Sequence, residues 1–340
     1  MADEETAKIK KMLEATFETG FKELAKYADD LPDYKPIVDY FVTSIFERKV
    51  TEWKGYKMSG QGFSCDTIKW VYENWTPWKD DVIVASFPKT GTTWVRNIVA
   101  HLYYRDNKTL MEMVKPMAMP HIYLETGIPL KFEILEKLPW KRRIFATHVS
   151  APLFNFEKVK SAGAKVIYTI RNPKDQVVSW YNMMQNFPFQ ATDVNAQKCI
   201  QKIGTRFSRR QCLVSSQLLG NKEGEWYMEN ILSWYPHRND DNVLFVIYED
   251  LKRDPTKEIK RIAKFLGTEY SDEVLSEIVE ATSFGSMKKN ANTTEEFVKF
   301  FRKGEVGDWK NHLTVAQSEL IDAIVKEKLA DTDIEFTYEL

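Results

Sequence analysis

Asp81-Val-Ile-Val-Ala-Ser-Phe-Pro-Lys-Thr-Gly-Thr-Thr-Trp94 decides the reading of this chain. Val82 to Phe87 is a short apolar run broken only by Ser86, the pattern of a strand buried on both faces. A loop with one glycine and three threonines follows. From there Trp94, Ile98 and Leu102 recur on one helical face, with Val95 and Val99 beside them. A helix N-terminus offers unpaired N–H groups and the positive end of the helix dipole, and Gly91 lets the backbone approach a ligand closely. Strand, loop and helix therefore read as an anion-binding unit, with Thr92 and Thr93 adding hydroxyl donors. The kinase-type loop G-x-x-x-x-G-K-[ST] is not matched: Ser86 stands at its first glycine and Thr92 at its lysine. The cation lies upstream instead, at Lys89, which points to a transferable group other than the γ-phosphoryl of ATP.

Beyond this unit the pattern repeats. Val82–Ser86, Ile144–Thr147, Val166–Ile170 and Val243–Tyr248 read as strands, and helices are predicted over 92–104, 173–186 and 255–266. Asp254, Pro255 and Gly267 punctuate the last as cap, first residue and stop. Alternation of this kind predicts an α/β fold, a central, mainly parallel sheet flanked by helices with a P-loop-like nucleotide site. Ahead of it, Ile9, Leu13, Phe17, Phe21 and Leu24 predict an amphipathic helix over 7–27 that docks on the main body, and two prolines mark 28–36 as a loop. The expected organisation is a helical extension over 1–40 and one domain over 41–340.

The 340 residues carry 48 Lys+Arg against 49 Asp+Glu, a balance that excludes a generally basic nucleic-acid binder. Hydrophobic residues make up 43 %, enough for a sizeable core. Cys65, Cys199 and Cys212 are too few and too far apart for a disulfide framework or a CxxC metal site, and they read as reduced thiols of a cytoplasmic protein. The N-terminus lacks a signal-peptide core, and no apolar run reaches the length of a membrane span. Lys141-Arg-Arg143 and Arg209-Arg210 read as solvated charge.

Phe87-Pro-Lys-Thr-Gly-Thr-Thr-Trp94 closely resembles the 5′-phosphosulfate loop of the cytosolic sulfotransferases, enzymes that use 3′-phosphoadenosine 5′-phosphosulfate (PAPS) and release 3′-phosphoadenosine 5′-phosphate (PAP). Two further segments agree with that family in order. Arg171-Asn-Pro-Lys-Asp-Gln-Val-Val-Ser179 resembles the stretch whose Arg and Ser hold the 3′-phosphate. Its Pro173 and Asp175 also suit a helix start, so capping explains those two but not Arg171. Arg302-Lys-Gly-Glu-Val-Gly-Asp-Trp309 resembles the Arg-Lys-Gly…Gly-Asp-Trp signature that contacts the same phosphate. The resemblance implies that Lys89, Thr90, Gly91, Thr92 and Thr93 hold the 5′ side. Arg171, Ser179, Arg302, Lys303 and Gly304 would hold the 3′-phosphate, and Trp94, Thr282 and Phe284 the adenine.

Arg143-Ile-Phe-Ala-Thr-His148 brings His148 to a strand end, where open α/β sheets place their ligands; among five histidines it is the one on such an edge. Its Thr-His resembles the family's catalytic pair. The implied chemistry is removal of the acceptor's proton by His148 while Lys89 stabilises the departing oxygen. No metal is required, because a sulfuryl group carries less charge than a γ-phosphoryl, and no paired-acid metal motif is seen. Two departures stand out: Ala146 where the family commonly has Lys, and Glu223 before Gly224-Glu-Trp-Tyr227 where it has Tyr.

Lys310, Thr314, Val315 and Glu319 fit the segment through which many family members form homodimers, while Thr314 with Gln317 also reads as a capping box opening a helix over 315–329. Met183, Met184, Phe187 and Phe189 could line an acceptor pocket or simply pack. The expected partner is a small, hydrophobic molecule with a hydroxyl or amine. Rival readings are a P-loop phosphotransferase, which lacks its lysine here, a nucleotide binder without turnover, and transient sulfation followed by elimination.

Overall fold

The computed structural model of the chain describes residues 2–47, 50–59, 62–115, 117, 119–186, 227–290 and 302–340. Helix α1 (Ala2–Leu24) buries Leu13, Phe17 and Phe21 against Ile37, Val38, Phe41 and Val42 of α2 (Lys35–Glu47), with Ile134 closing the cluster. The apolar face anticipated over 7–27 is thus used inside the protein, each buried side chain contributing about 1.5–3 kcal/mol. α1 begins earlier and ends at Leu24. α2 takes Lys35 and Pro36 out of the expected loop, because proline lacks only an N–H that the first helical turn does not need. Residue 40 falls inside α2, so the helical unit runs on to Glu47.

A hairpin that the sequence patterns did not announce follows, β1 (Val50–Trp53) antiparallel to β2 (Tyr56–Ser59). Its turn is made by Lys54 and Gly55, both with positive φ (50° and 78°). Ser64 then caps α3 (Cys65–Glu73), accepting from the N–H groups of Asp66 and Thr67.

The central sheet consists of β3 (Val82–Ser86), β4 (Ile144–Thr147), β5 (Lys165–Ile170) and β6 (Val243–Ile247) in the order β4-β3-β5-β6, every neighbouring pair parallel. All five residues of β3 are buried. Its loop opens α4 (Thr92–Tyr104), and helices Pro173–Asn186 and Pro255–Leu266 stand where expected. The Asp254 carboxylate accepts from Lys257 N–H, and Gly267 closes that helix at φ 72°. Tyr248 is not the end of β6 but the first residue of a short helix, Tyr248–Arg253.

Register puts Ala85 beside Thr147, Ser86 beside Thr169, and Ile170 beside Ile247, so the carboxyl ends of all four strands finish at one edge. The chain leaves β3 towards β4 on one side and β5 towards β6 on the other. The crevice of such a sheet opens where the strand order reverses, here between the loops after β3 and β5.

At the opposite edge Arg143 corrects the solvated-charge reading of 141–143. It is fully buried, 2.6 Å from Asp81 through Nη2, with its guanidinium 3.8 Å from the centre of the Trp78 ring. A run read locally could not reveal a partner 62 residues away. Arg209 and Arg210 lie outside the described residues, as do Cys199 and Cys212; Cys65 is buried as a free thiol. Among the described residues no helix is long and apolar enough to cross a membrane.

Candidate active site

The loop after β3 is held in an unusual backbone. Lys89 has φ 72°, a conformation that costs a residue with a side chain about 1–3 kcal/mol. Gly91 caps α4 at φ 112°, where a Cβ would stand 3.0 Å from the Tyr248 ring. The three threonines have three different tasks. Thr90 is buried, its hydroxyl 2.6 Å from the Phe87 carbonyl and 3.1 Å from that of Thr169, so it ties the loop to β5 and offers a ligand only its backbone. Thr92 places its hydroxyl 2.6 Å from that of Ser86. Thr93 is exposed.

Three cations from three distant loops converge on this crevice. Burial pushes the Lys89 ammonium down to about 8, and the charges of Arg171 and Arg302 push in the same direction. Arg171 is buried, with Nη2 2.9 Å from the Glu305 carbonyl and the guanidinium 4.2 Å from the centre of the Tyr248 ring. Its Nε is closed off from solvent and has no partner among the described residues. A buried guanidinium with a spare donor, beside two further cations, fits an anion such as a phosphate. The Tyr227 hydroxyl fixes the backbone there, accepting from Arg171 N–H at 2.7 Å and lying 2.8 Å from its carbonyl.

The loop that carries Arg302, Lys303 and Gly304 is tied down by two aspartates. Asp308 accepts from Arg302, from Lys303 at 2.6 Å and from Asn311 at 2.9 Å. Desolvation opposes its ionisation, yet those hydrogen bonds, led by that of Lys303, hold its carboxyl well below the usual range. Asp175 stands in the first turn of its helix as read from sequence, and it also accepts from Gly307 N–H (2.8 Å) and Trp309 N–H (3.0 Å), joining this loop to the helix that follows Arg171. Ser179 sits half-buried on that helix.

Among the residues assigned to the adenine, Trp94 meets Tyr248 edge-on, ring centres 5.3 Å apart. Phe284 packs so tightly on Gly304 (φ 70°) that a Cβ there would lie 2.4 Å from its ring. Thr282 is buried and commits its hydroxyl to the Ile278 carbonyl at 2.7 Å, which makes it a helix-end residue.

His148 directly follows β4 beside the same loop. Its Nδ1 lies 2.8 Å from the Ser86 carbonyl, which can only accept, so Nδ1 carries the proton and the lone pair remains on Nε2. Burial pushes the imidazole down to about 4; the Ser86 hydrogen bond opposes this and the charge of Lys89 adds to it. The ring is therefore neutral near pH 7. Glu125 secures the strand end: one carboxylate oxygen accepts from His148 N–H at 2.7 Å and the other from the Thr147 hydroxyl at 2.8 Å. The Tyr123 ring stands 4.7 Å from that of His148. Ala146 is buried in β4, paired with Val84.

Glu125, Tyr123, Tyr248 and Asp308 were not singled out from sequence as site residues, and Ser86 was read only as a departure from the P-loop. Asp308 lies inside the quoted Gly-Asp-Trp and Ser86 inside the quoted loop; the others depend on contacts between distant segments. Lys310, Thr314, Val315 and Glu319 are all exposed, and Thr314 with Gln317 forms the anticipated capping box of helix Val315–Lys328. Phe187, Phe189 and Glu223 lie outside the described residues, as does the side chain of Met184; Met183 is half-buried.

Comparison with known proteins shows the family and the fold. The family profile described as "Sulfotransferase domain" matches residues 79–333. Sulfotransferase 1A1 of Rattus norvegicus is 34 % identical over 281 residues, 79 % of this chain and 91 % of that protein. The amine sulfotransferase of Oryctolagus cuniculus is 34 % identical over 275 residues, 77 % of this chain and 84 % of its own length. Among solved structures, mouse sulfotransferase SULT7A1 complexed with PAP superposes with a TM-score of 0.65 at 28 % identity, over 84 % of this chain and 96 % of that one. A retinol dehydratase structure (TM-score 0.64, 21 % identity, 88 % and 95 % coverage) shares the fold.

Proposed function

The chain belongs to the sulfotransferase family, and from that premise we propose that it transfers a sulfuryl group from PAPS to a hydroxyl or amine of a small, hydrophobic acceptor. The observation that carries the reading is the meeting of Lys89, Arg171 and Arg302 at the carboxyl edge of the sheet, with the Arg171 Nε unpartnered among the described residues. PAPS supplies the activated sulfuryl group. Lys89 and the first N–H groups of α4 would face its 5′ end, and Arg171 with the Arg302–Gly304 loop its 3′-phosphate. Trp94 and Phe284 would take the adenine.

His148 is the proposed base. Its Nδ1–H donates to the Ser86 carbonyl, which leaves Nε2 to accept the acceptor's proton. An anion beside Lys89 offsets the charge that depresses this imidazole, so its basicity rises when the nucleotide binds. Lys89 then stabilises the charge that develops on the leaving oxygen. A cytoplasmic site of action and a homodimer through Lys310, Thr314, Val315 and Glu319 belong to the same reading. Sedimentation showing only monomer at micromolar concentration would remove the dimer.

Calorimetry with PAP and 5′-AMP tests the nucleotide site. A charge-assisted hydrogen bond contributes about 1.5–3 kcal/mol, so the 3′-phosphate should raise affinity at least about tenfold. Arg171→Met should remove most of that difference. Equal affinities for PAP and AMP would refute the assignment.

A further inference from the structure

Arg96 is a cation that the proposed chemistry does not use. It lies one turn after Thr92 on the same face of α4, and helical side chains lean back towards the N-terminus, here towards the site. It is half-buried. Its Nη2 makes a long contact of 3.3 Å to the Met117 carbonyl, and its Nε is sealed from solvent with no partner among the described residues. No carboxylate among the described residues lies within ion-pair distance of it. The aromatic neighbour on which its charge acts is Tyr123, whose hydroxyl bonds to Thr92 and whose ring stands 4.7 Å from His148. Tyr123 is no counter-ion, since burial pushes its phenol up to about 12.

A guanidinium whose sealed Nε has no partner among the described residues carries an unmet donor, and a protein ordinarily removes such a group or pairs it. The charges that act on Lys89 are those of Arg171 and Arg302, so Arg96 stands apart from the nucleotide-binding cations.

We propose that Arg96 is an acceptor-binding residue, and that the acceptor carries a carboxylate in addition to the group that is sulfated. The planar guanidinium fork matches a carboxylate in two-point fashion, with Nε as one of the donors left over. Tyr123 then spaces the carboxylate from the reacting hydroxyl at His148. This inference rests on the sulfotransferase reading and narrows its substrate class.

The test compares 4-hydroxybenzoate, 4-hydroxyphenylacetate and 3-(4-hydroxyphenyl)propionate with their methyl esters, as acceptors of label from PAPS. At least one acid should exceed its ester about tenfold or more in kcat/KM, and Arg96→Met should abolish that ratio. Arg96→Lys, which keeps the charge without the fork, should give an intermediate ratio and serves if the Met variant does not fold. Thermal melting separates binding from scaffolding: removing a charge with an unmet donor should leave Tm unchanged or raised, whereas a large fall would assign Arg96 a structural role. Label transfer with no acid preference, unaltered in Arg96→Met, overturns this inference and leaves the sulfotransferase reading standing. If no acceptor is labelled, that reading fails instead, and titration of the same acids into PAP-saturated protein still decides Arg96. Tighter binding to wild type than to Arg96→Met upholds it, and equal or absent binding ends it.

Discussion

Lys89 offers the sharpest quantitative prediction. Its ammonium is held down at about 8 by burial, and by Arg171 and Arg302, against an ordinary value near 10.5. Burial persists in the complex, but an anion bound among these three cations offsets both depressing charges, so binding should raise the group's value. The sign follows directly: the site binds an anion best with Lys89 protonated, and affinity falls as pH rises through the free-state value. With a free value of about 8 raised on binding, PAP should bind several-fold more weakly at pH 9 than at pH 7, with about tenfold as the upper bound. Binding at pH 8 should take up as much as about half a proton. The nucleotide's own phosphate ionisation, near pH 6, is complete over this range and does not contribute. Calorimetry in two buffers of different ionisation enthalpy reads both quantities at once. Lys89→Met should bind more weakly at pH 7 and lose the slope. A flat profile from pH 7 to 9 with no proton uptake would refute the convergence of the three cations.

Three further outcomes are expected. His148→Ala should lower kcat by about 10²–10⁴ while still binding PAP, measured by single-turnover label transfer beside calorimetry. Glu125→Ala strips two bonds from the Thr147–His148 strand end and leaves the buried Lys131 without its charge partner; urea unfolding should report a loss of about 3–5 kcal/mol. Asp175→Ala frees the N–H groups of Gly307 and Trp309, so PAP affinity should fall at least about tenfold with little change in acceptor selectivity.

Elements marked by local chemistry were legible from sequence. The helix Pro255–Leu266 carries its own cap, first-turn proline and glycine stop, and β3 with α4 is announced by an apolar run meeting a glycine loop. The places of Lys89, Gly91, Arg171 and His148 in the loops after the strands followed from the strand pattern, and all four strands end at one edge. What a polar side chain does once there was less legible. Thr90 and Thr282 look like ligand hydroxyls, but each satisfies a buried carbonyl. Asp175 looks like a cap, yet it reaches a loop 132 residues away. Arg143 looks solvated and is buried on Asp81. In each case the deciding partner is distant in sequence or is a backbone group, and neither leaves a mark on a local pattern. Glu125 and Arg96 gave no signal for the same reason.

The most direct test is transfer of label from PAPS to a panel of phenols, steroids, alcohols and amines, without added metal, with product mass recorded. The account predicts a product heavier than its acceptor by one sulfuryl group, PAP released in equal amount, and loss of both in His148→Ala. Folded protein that binds PAP yet labels nothing would contradict it, and a product lighter than its acceptor by one water would replace transfer with elimination.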